Sequence, residues 1–198
     1  MKWFIVAGSQ RSSSQSAKVA RFVARACESL GVATSTLDLG TTPLPLVEDE
    51  SSAALGGPWN EIDSELRVSE ALVLVSPEWG GMATAALKNF LIGASPEVLG
   101  HKPALIVAVT SGTGGVYPVA ELRMSSYKNN RVCYVPEHII VRNVREVLNS
   151  FDVPVSDEDA ALRTRINYAL RLLREYAIAL RTVRESSVVD HTLFPFGM

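Results

Sequence analysis

A chain of 198 residues with 47% hydrophobic and 20% charged residues is sized for one folded domain with a full core. Its formal charge of −2 lacks the basic excess of a nucleic-acid binder and the strongly acidic surface of a small electron carrier. Cys27 and Cys133 are too few for a disulfide framework and lack metal-ligand spacing; neither has an arginine six positions later, which excludes the Cys-x5-Arg loop of phosphotyrosine-type phosphatases. No stretch is apolar for long enough to span a bilayer, and the first residues run into a polar turn without a cleavage site, so no membrane contact and a cytoplasmic location are expected.

The apolar run Trp3-Phe4-Ile5-Val6-Ala7 predicts a buried parallel strand over about Lys2 to Ala7. Gly8-Ser9-Gln10-Arg11-Ser12-Ser13-Ser14-Gln15-Ser16 follows. A helical pattern then begins near Ala17, with Val19, Phe22, Val23, Ala26, Cys27 and Leu30 on one face. Strand, polar turn and helix N-terminus in that order offer free backbone N–H groups, the positive end of a helix dipole, a row of hydroxyls and one guanidinium. Those are the parts of an anion site. A serine-rich turn that only caps the helix is the competing reading. Lys18, Arg21 and Arg25 read as a solvated face, and Gly31 as the helix stop.

Ala33 to Leu39 is less apolar and predicts a strand at a lateral edge of the sheet. Gly40 to Pro58, rich in Pro, Gly, Ser and acidic residues, reads as a long crossover loop. A helix over about Asn60 to Val68 leads to the third strand, Ala71 to Val75, whose end carries Ser76-Pro77-Glu78-Trp79-Gly80-Gly81-Met82. Thr84 is placed to cap the next helix, with Leu87, Phe90, Leu91 and Ala94 on its inner face. The fourth strand, Ala104 to Val109, ends in Thr110-Ser111-Gly112-Thr113-Gly114-Gly115. A helix over about Val119 to Tyr127 precedes a fifth strand within Val132 to Val141, where Pro136 implies an edge position or an interruption. Ser156-x-x-Asp159 resembles a capping box opening a long helix, about 157–184, with Leu162, Ile166, Ala169, Leu170, Leu173, Ala177 and Leu180 as its apolar stripe. The tail from Val188 to Met198 is apolar without a clear period and is read as docking on the body or on a partner subunit.

Five strands alternating with helices specify an α/β protein with a parallel sheet and right-handed crossovers. Ligands of such sheets bind outside the carboxyl ends of the strands, near the point where strand order reverses. In the order 2-1-3-4-5 that point lies between strands 1 and 3, so the loops after strands 1, 3 and 4 surround one crevice. The chain has no G-x-x-x-x-G-K-[ST], no G-x-G-x-x-G after its first strand and no G-x-S-x-G elbow. An anion held by hydroxyls, backbone and the single local cation Arg11 suits a terminal phosphate monoester better than a triphosphate with magnesium.

Gly8-Ser9-x-Arg11-x-x-Ser14-x-Ser16 resembles the GSxRxxSx(N/S) phosphate loop of the NAD(P)H-dependent FMN reductases. Pro77-Glu78-Trp79-Gly80-Gly81-x-x-x-Ala85-Ala86-Leu87-Lys88-Asn89 is similar to their Pro-Glu-Tyr-Asn-Gly segment and the Leu-Lys-Asn that follows it. Ser111-Gly112-x-x-Gly115, with Leu122-Arg123 further on, resembles their third flavin loop and its helix. The resemblance runs from about residue 2 to residue 145. It implies a single domain over 1–198 with a flavodoxin-like three-layer sandwich: a five-stranded parallel sheet in the order 2-1-3-4-5 with helices on both faces. It also implies bound FMN, NADH or NADPH as co-substrate, a small-molecule electron acceptor such as a quinone or free flavin, and a homodimer or homotetramer.

On the same resemblance Ser9, Arg11, Ser14, Gln15 and Ser16 hold the FMN phosphate. Pro77, Glu78, Trp79, Gly80, Gly81 and Met82 meet the ring, and Ser111, Gly112 and Gly115 close its other side. Lys88 and Asn89 brace the loop. No catalytic side chain is required, because the flavin carries the chemistry; Glu78 is the tempting general acid, with a loop-orienting role as the alternative. Gly80, Met82 and Thr84 depart from the family pattern around the expected ring position, and Met82 with Trp79 makes the mouth apolar, favouring flat acceptors. A non-catalytic electron carrier and a regulatory protein keeping only the fold are the competing functions.

Overall fold

The computed structural model of the protein describes residues 1–48 and 56–194. In chain order the elements are β1 (Lys2–Ala7), α1 (Gln15–Ser29), β2 (Ala33–Asp38), α2 (Pro58–Arg67), β3 (Ala71–Pro77), α3 (Ala85–Gly93), α4 (Pro96–Leu99), β4 (Pro103–Val109), α5 (Val116–Ser125), β5 (Cys133–Val141) and α6 (Asp157–Arg184). All neighbouring strands pair in parallel, in the order β2-β1-β3-β4-β5. That is the expected flavodoxin-like order. Part of the predicted crossover loop, 49–55, and the end of the tail, 195–198, lie outside the described residues.

Side-chain alternation along the strands builds a core on each face. Trp3, Ile5, Val73, Val75, Leu105 and Val107 pack under α1 and α6, while Phe4, Val6, Leu72, Leu74 and Ile106 pack under α2, α3 and α5. Each fully buried large side chain contributes about 1.5–3 kcal/mol, so the central strands β1, β3 and β4 hold the frame on which the loops are mounted. On the second face Phe90 stacks on both Phe4 and Trp59, with ring centroids 6.2 Å apart in each pair. Trp59 fits because residue 93 is glycine: a Cβ there would stand 2.4 Å from its ring.

Several boundaries differ from the sequence reading. α2 begins at Pro58, since proline suits the first helical position, where an N–H has no partner in any case. α5 spans Val116–Ser125 where a helix over Val119 to Tyr127 is predicted. Pro118 sits in its first turn at little cost, so the loop after β4 ends directly in a helix N-terminus. The short α4 is an addition. β5 is an edge strand, and its register against β4 slips between the pairs Ala104–Tyr134 and Ile106–His138. Pro136 lies in that bulge, and Arg123 donates to the carbonyls of Val135, Pro136 and Glu137, satisfying backbone that the ladder leaves open. The tail docks at the amino end of the sheet. Arg131 donates to the carbonyls of Asp190 and Phe194 and bonds the His191 ring, and His191 stacks on His101 at 6.0 Å.

α6 is anchored by Asp159, which is fully buried. The Ser156 hydroxyl accepts from the Asp159 amide, and the Asp159 carboxylate accepts from the amides of Leu148 and Val155 and from Arg163, each at 3.0 Å. Burial alone would raise this carboxyl, but the Arg163 bond and the two amides outweigh it and hold it below its ordinary value. A group depressed in the folded chain adds stability above its unfolded pKa, about 3.9, and that stability is lost as pH falls through the folded value. Asp159→Ala is expected to cost about 3 kcal/mol in urea unfolding at pH 7, with the gap to wild type closing in acid. An unchanged midpoint at pH 7 would show that the turn before α6 holds without this carboxylate.

Candidate functional site

The first loop leaves β1 at Gly8, whose amide donates to the Val75 carbonyl of β3 at 2.8 Å. Ser9 is buried and its hydroxyl accepts from the Arg11 amide at 3.3 Å. Ser13 takes the left-handed backbone, φ 56°, and turns the chain into α1. Ser14 caps that helix, accepting from the Ala17 amide at 3.0 Å. The Ser16 hydroxyl is buried and has no hydrogen-bond partner among the described residues. A buried, unanswered hydroxyl at the positive end of a helix is a vacant donor for an anion. The cap of the serine-rich turn is thus Ser14, and the Ser16 hydroxyl is not spent on capping.

The second loop leaves β3 as a two-residue hairpin. Trp79 and Met82 exchange both backbone hydrogen bonds at 3.0 Å, and Gly80 and Gly81 lie between them at φ 57° and 73°. Positive φ at both central positions is the type I′ pattern, which Asn-Gly and Gly-Gly both satisfy. Gly80 in place of the family's asparagine is thus neutral for the backbone. The Arg11 guanidinium sits 4.5 Å above the centre of the Trp79 ring and joins the first loop to this hairpin.

Glu78 turns to the third loop, where its carboxylate accepts from the Gly115 amide. A Cβ at Gly114 would lie 2.5 Å from that carboxylate, so the contact depends on glycine. Gly115 itself takes φ 99° as the residue capping α5. Glu78 is a strut between loops, in line with the loop-orienting alternative. Thr84 caps α3 as expected, accepting from the Leu87 amide at 3.4 Å, and is buried under the first loop, where its hydroxyl donates to the Gly8 carbonyl. Asn89 bonds the Pro45 carbonyl and the Val47 amide, bracing the crossover loop, and Lys88 pairs with Glu121, whose second oxygen accepts from the Ala83 amide.

A fourth segment completes the site. After β5, Arg142 donates to the carbonyls of Thr113 and Gly114, and the Val144 amide donates to the Thr110 carbonyl. Lys18 then holds this segment against α1, donating to the carbonyls of Val144 (2.5 Å) and Val147 (2.8 Å) and to the Asn149 side chain (2.7 Å). Lys18 is therefore a fastening between α1 and this segment, where a solvated face is predicted. Burial lowers its pKa, against the opposing pull of Asp159.

The four segments enclose a crevice of about 620 Å³. Of the residues singled out from sequence, Ser9, Arg11, Ser14, Gln15, Ser16, Pro77, Glu78, Trp79, Gly80 and Ser111 line it. Gly81 and Met82 form the outer arm of the hairpin, with Met82 exposed; Gly112 and Gly115 shape the third loop behind its wall. Ser12, Ser13, Val109, Thr110, Val144 and Arg145 line the crevice and were not singled out. For Val144 and Arg145 the available signal was positional: β5, like β1, β3 and β4, ends at the carboxyl side of the sheet. Glu78→Ala is expected to speed hydrogen exchange at the Gly115 amide and to lower stability by about 1–2 kcal/mol, whereas Glu78→Gln keeps an acceptor and most of the wild-type value. Equal behaviour of Glu78→Ala and wild type would remove the strut.

Residues 1–146 match the family described as NADPH-dependent FMN reductase. The chain is 31% identical over 115 residues to a quinone reductase of Pseudomonas putida (strain KT2440), an alignment spanning 56% of this chain and 61% of that protein, less than two thirds of its length. It is 27% identical over 126 residues to an NADPH azoreductase of Bacillus sp. (strain OY1-2), covering 63% of this chain and 68% of that protein. Its fold is similar to that of FerB, a flavoenzyme NAD(P)H:(acceptor) oxidoreductase from Paracoccus denitrificans, with TM-score 0.67 over 91% of this chain and 97% of that chain at 18% identity. The first-loop, hairpin and third-loop motifs meet at one crevice within the matched residues, and the chain belongs to the NADPH-dependent FMN reductase family.

Proposed function

We propose that the crevice holds FMN and that the protein is an NAD(P)H-dependent oxidoreductase reducing a small organic acceptor such as a quinone or a free flavin. The observation that carries this reading is the convergence of the loops on one crevice, with hydroxyls and a helix N-terminus at one end and a glycine hairpin bearing Trp79 at the other. The residues present fit the group. The orphaned Ser16 hydroxyl, with Ser9, Ser12, Ser14 and Gln15 around it, receives a phosphate monoester at the start of α1. Pro77, Glu78, Trp79 and Gly80 of the hairpin, with Ser111, border the planar ring, Gly81 and Met82 form the hairpin's outer arm, and Gly112 and Gly115 shape the third loop. When bound, FMN supplies the acceptance of hydride from NADH or NADPH and its delivery to the acceptor.

The chain's own residues bind and orient. Glu78 keeps the third loop against the hairpin and needs no proton-transfer role. Trp79 and the exposed Met82 give the mouth an apolar border suited to flat acceptors. Tyr117 lies against Gly81, and on the neighbouring helices α3 and α5, joined by the Lys88–Glu121 bridge, Ile92 and Met124 are exposed. This belt of exposed apolar side chains on α3 and α5 supports a homodimer, or a tetramer built from it. A cytoplasmic location, where NAD(P)H is at hand, goes with this reading; among the described residues no helix is long and apolar enough to cross a membrane.

Purified protein is expected to show a flavin band at about 450 nm that bleaches promptly on anaerobic addition of NADPH or NADH and returns when a quinone is added. A bound flavin that stays oxidised would make the protein an electron carrier, and absence of flavin binding would overturn the reading. Light scattering after size exclusion is expected to report an assembly larger than one chain; a monomer at micromolar concentration would remove the belt's role.

A further inference from the structure

A phosphate monoester has its second pKa at about 6 and carries close to two negative charges at neutral pH. The sequence assigns it one cation, Arg11, and the structure stacks that guanidinium on Trp79. The other charged groups lining the crevice are Glu78 and Arg145. Glu78 is engaged by the Gly115 amide. Arg145 bonds through its backbone carbonyl to Asn149, and its guanidinium has no hydrogen-bond or ionic partner among the described residues. In a chain of net charge −2, the crevice therefore has a local excess of positive charge, and the uncommitted share of it is Arg145.

Its position follows from Lys18. That ammonium uses its three protons on Val144, Val147 and Asn149, so the segment carrying Arg145 is fastened at three points to the first turn of α1. Lys18 lies four residues beyond the cap Ser14, on the turn whose amides and Ser16 hydroxyl face the anion. Phe151 continues the attachment, packing on Phe22 at 5.2 Å and under the Arg25 guanidinium at 3.9 Å. Arg145 thus lines the crevice on a segment fastened to the helix turn that carries Ser14 and Ser16.

We propose that Arg145 supplies a positive charge to the phosphate of the bound flavin nucleotide, and that Lys18 is the positioning residue that holds it there. The assignment rests on the FMN reading above and divides the crevice's cations: Arg145 answers to the phosphate alone, while Arg11 with Trp79 also supports the ring end. Comparing FMN with riboflavin, which lacks the phosphate, separates the two. In fluorescence titrations of flavin-free protein, Arg145→Ala is expected to weaken FMN binding about tenfold and leave riboflavin unchanged. Arg145→Lys recovers part of that loss, and Lys18→Met reproduces it with Arg145 in place. Arg11→Ala weakens both ligands. Added salt narrows the FMN preference of wild type more than that of Arg145→Ala. An unchanged FMN affinity in Arg145→Ala, or equal losses for FMN and riboflavin, would overturn the assignment. Wild type binding riboflavin as tightly as FMN would overturn it while leaving flavin binding intact, and wild type binding neither would overturn the FMN reading itself.

Discussion

Gly8 has no room for a side chain. Its amide donates to the Val75 carbonyl, and a Cβ would stand 2.9 Å from that same oxygen and 3.1 Å from Leu87. Because β1 and β3 are neighbours, this backbone contact throws the chain leaving β1 across the end of β3. The same loop is pressed from the other side at Gly40, where a Cβ would overlap the Arg11 carbonyl at 2.2 Å, and Thr84 reaches the Gly8 carbonyl from the cap of α3. The serine hydroxyls and the start of α1 owe their position to these close approaches of backbone. Substituting a larger residue at Gly8 would require β1 and β3 to separate at the point where strand order reverses.

From that fixed loop the crevice wall is tied segment to segment. Arg11 joins the first loop to the hairpin over Trp79, and Glu78 joins the hairpin to the third loop at Gly115. Arg142 and the Val144 amide join the third loop to the segment after β5, and Lys18 returns that segment to α1. The ties form a closed circuit, each connection being a side chain on backbone, a backbone pair or a cation on a ring. Such a wall lowers the ordering that a ligand must impose when it binds, which is how polar contacts become affinity. It also explains why Glu78, a carboxylate lining the crevice, serves as structure: its acceptor capacity is directed to an amide of the wall.

The apolar runs of β1, β3 and β4 and the polar character of β2 were readable because the central strands are buried on both faces and the edge strand is not. From those runs the parallel α/β class followed; the strand order 2-1-3-4-5 and most of the crevice lining came with the resemblance carried by the three loop motifs. What periodicity could not show was polar attachment. Lys18 falls off the apolar stripe of α1 and reads as solvated, yet it is the fastening of a segment more than a hundred residues away. Val144 and Arg145 sit in a stretch with no glycine or serine signature, so nothing in its composition marks it as a wall of the site. Thr84 was legible as the cap of α3, but its second bond, to the Gly8 carbonyl of the first loop, was not. α5 begins three residues before its predicted start at Val119, because Gly115 in the left-handed backbone caps it directly.

The account stands or falls on whether these segments, far apart in sequence, form one nucleotide site. Backbone amide NMR of the labelled, flavin-free protein titrated with FMN reads this residue by residue. Saturable shifts should appear together in residues 9–16, 78–82, 110–115 and 143–146, at a common midpoint. Shifts confined to one of these segments, or centred on another face of the sheet, would contradict it.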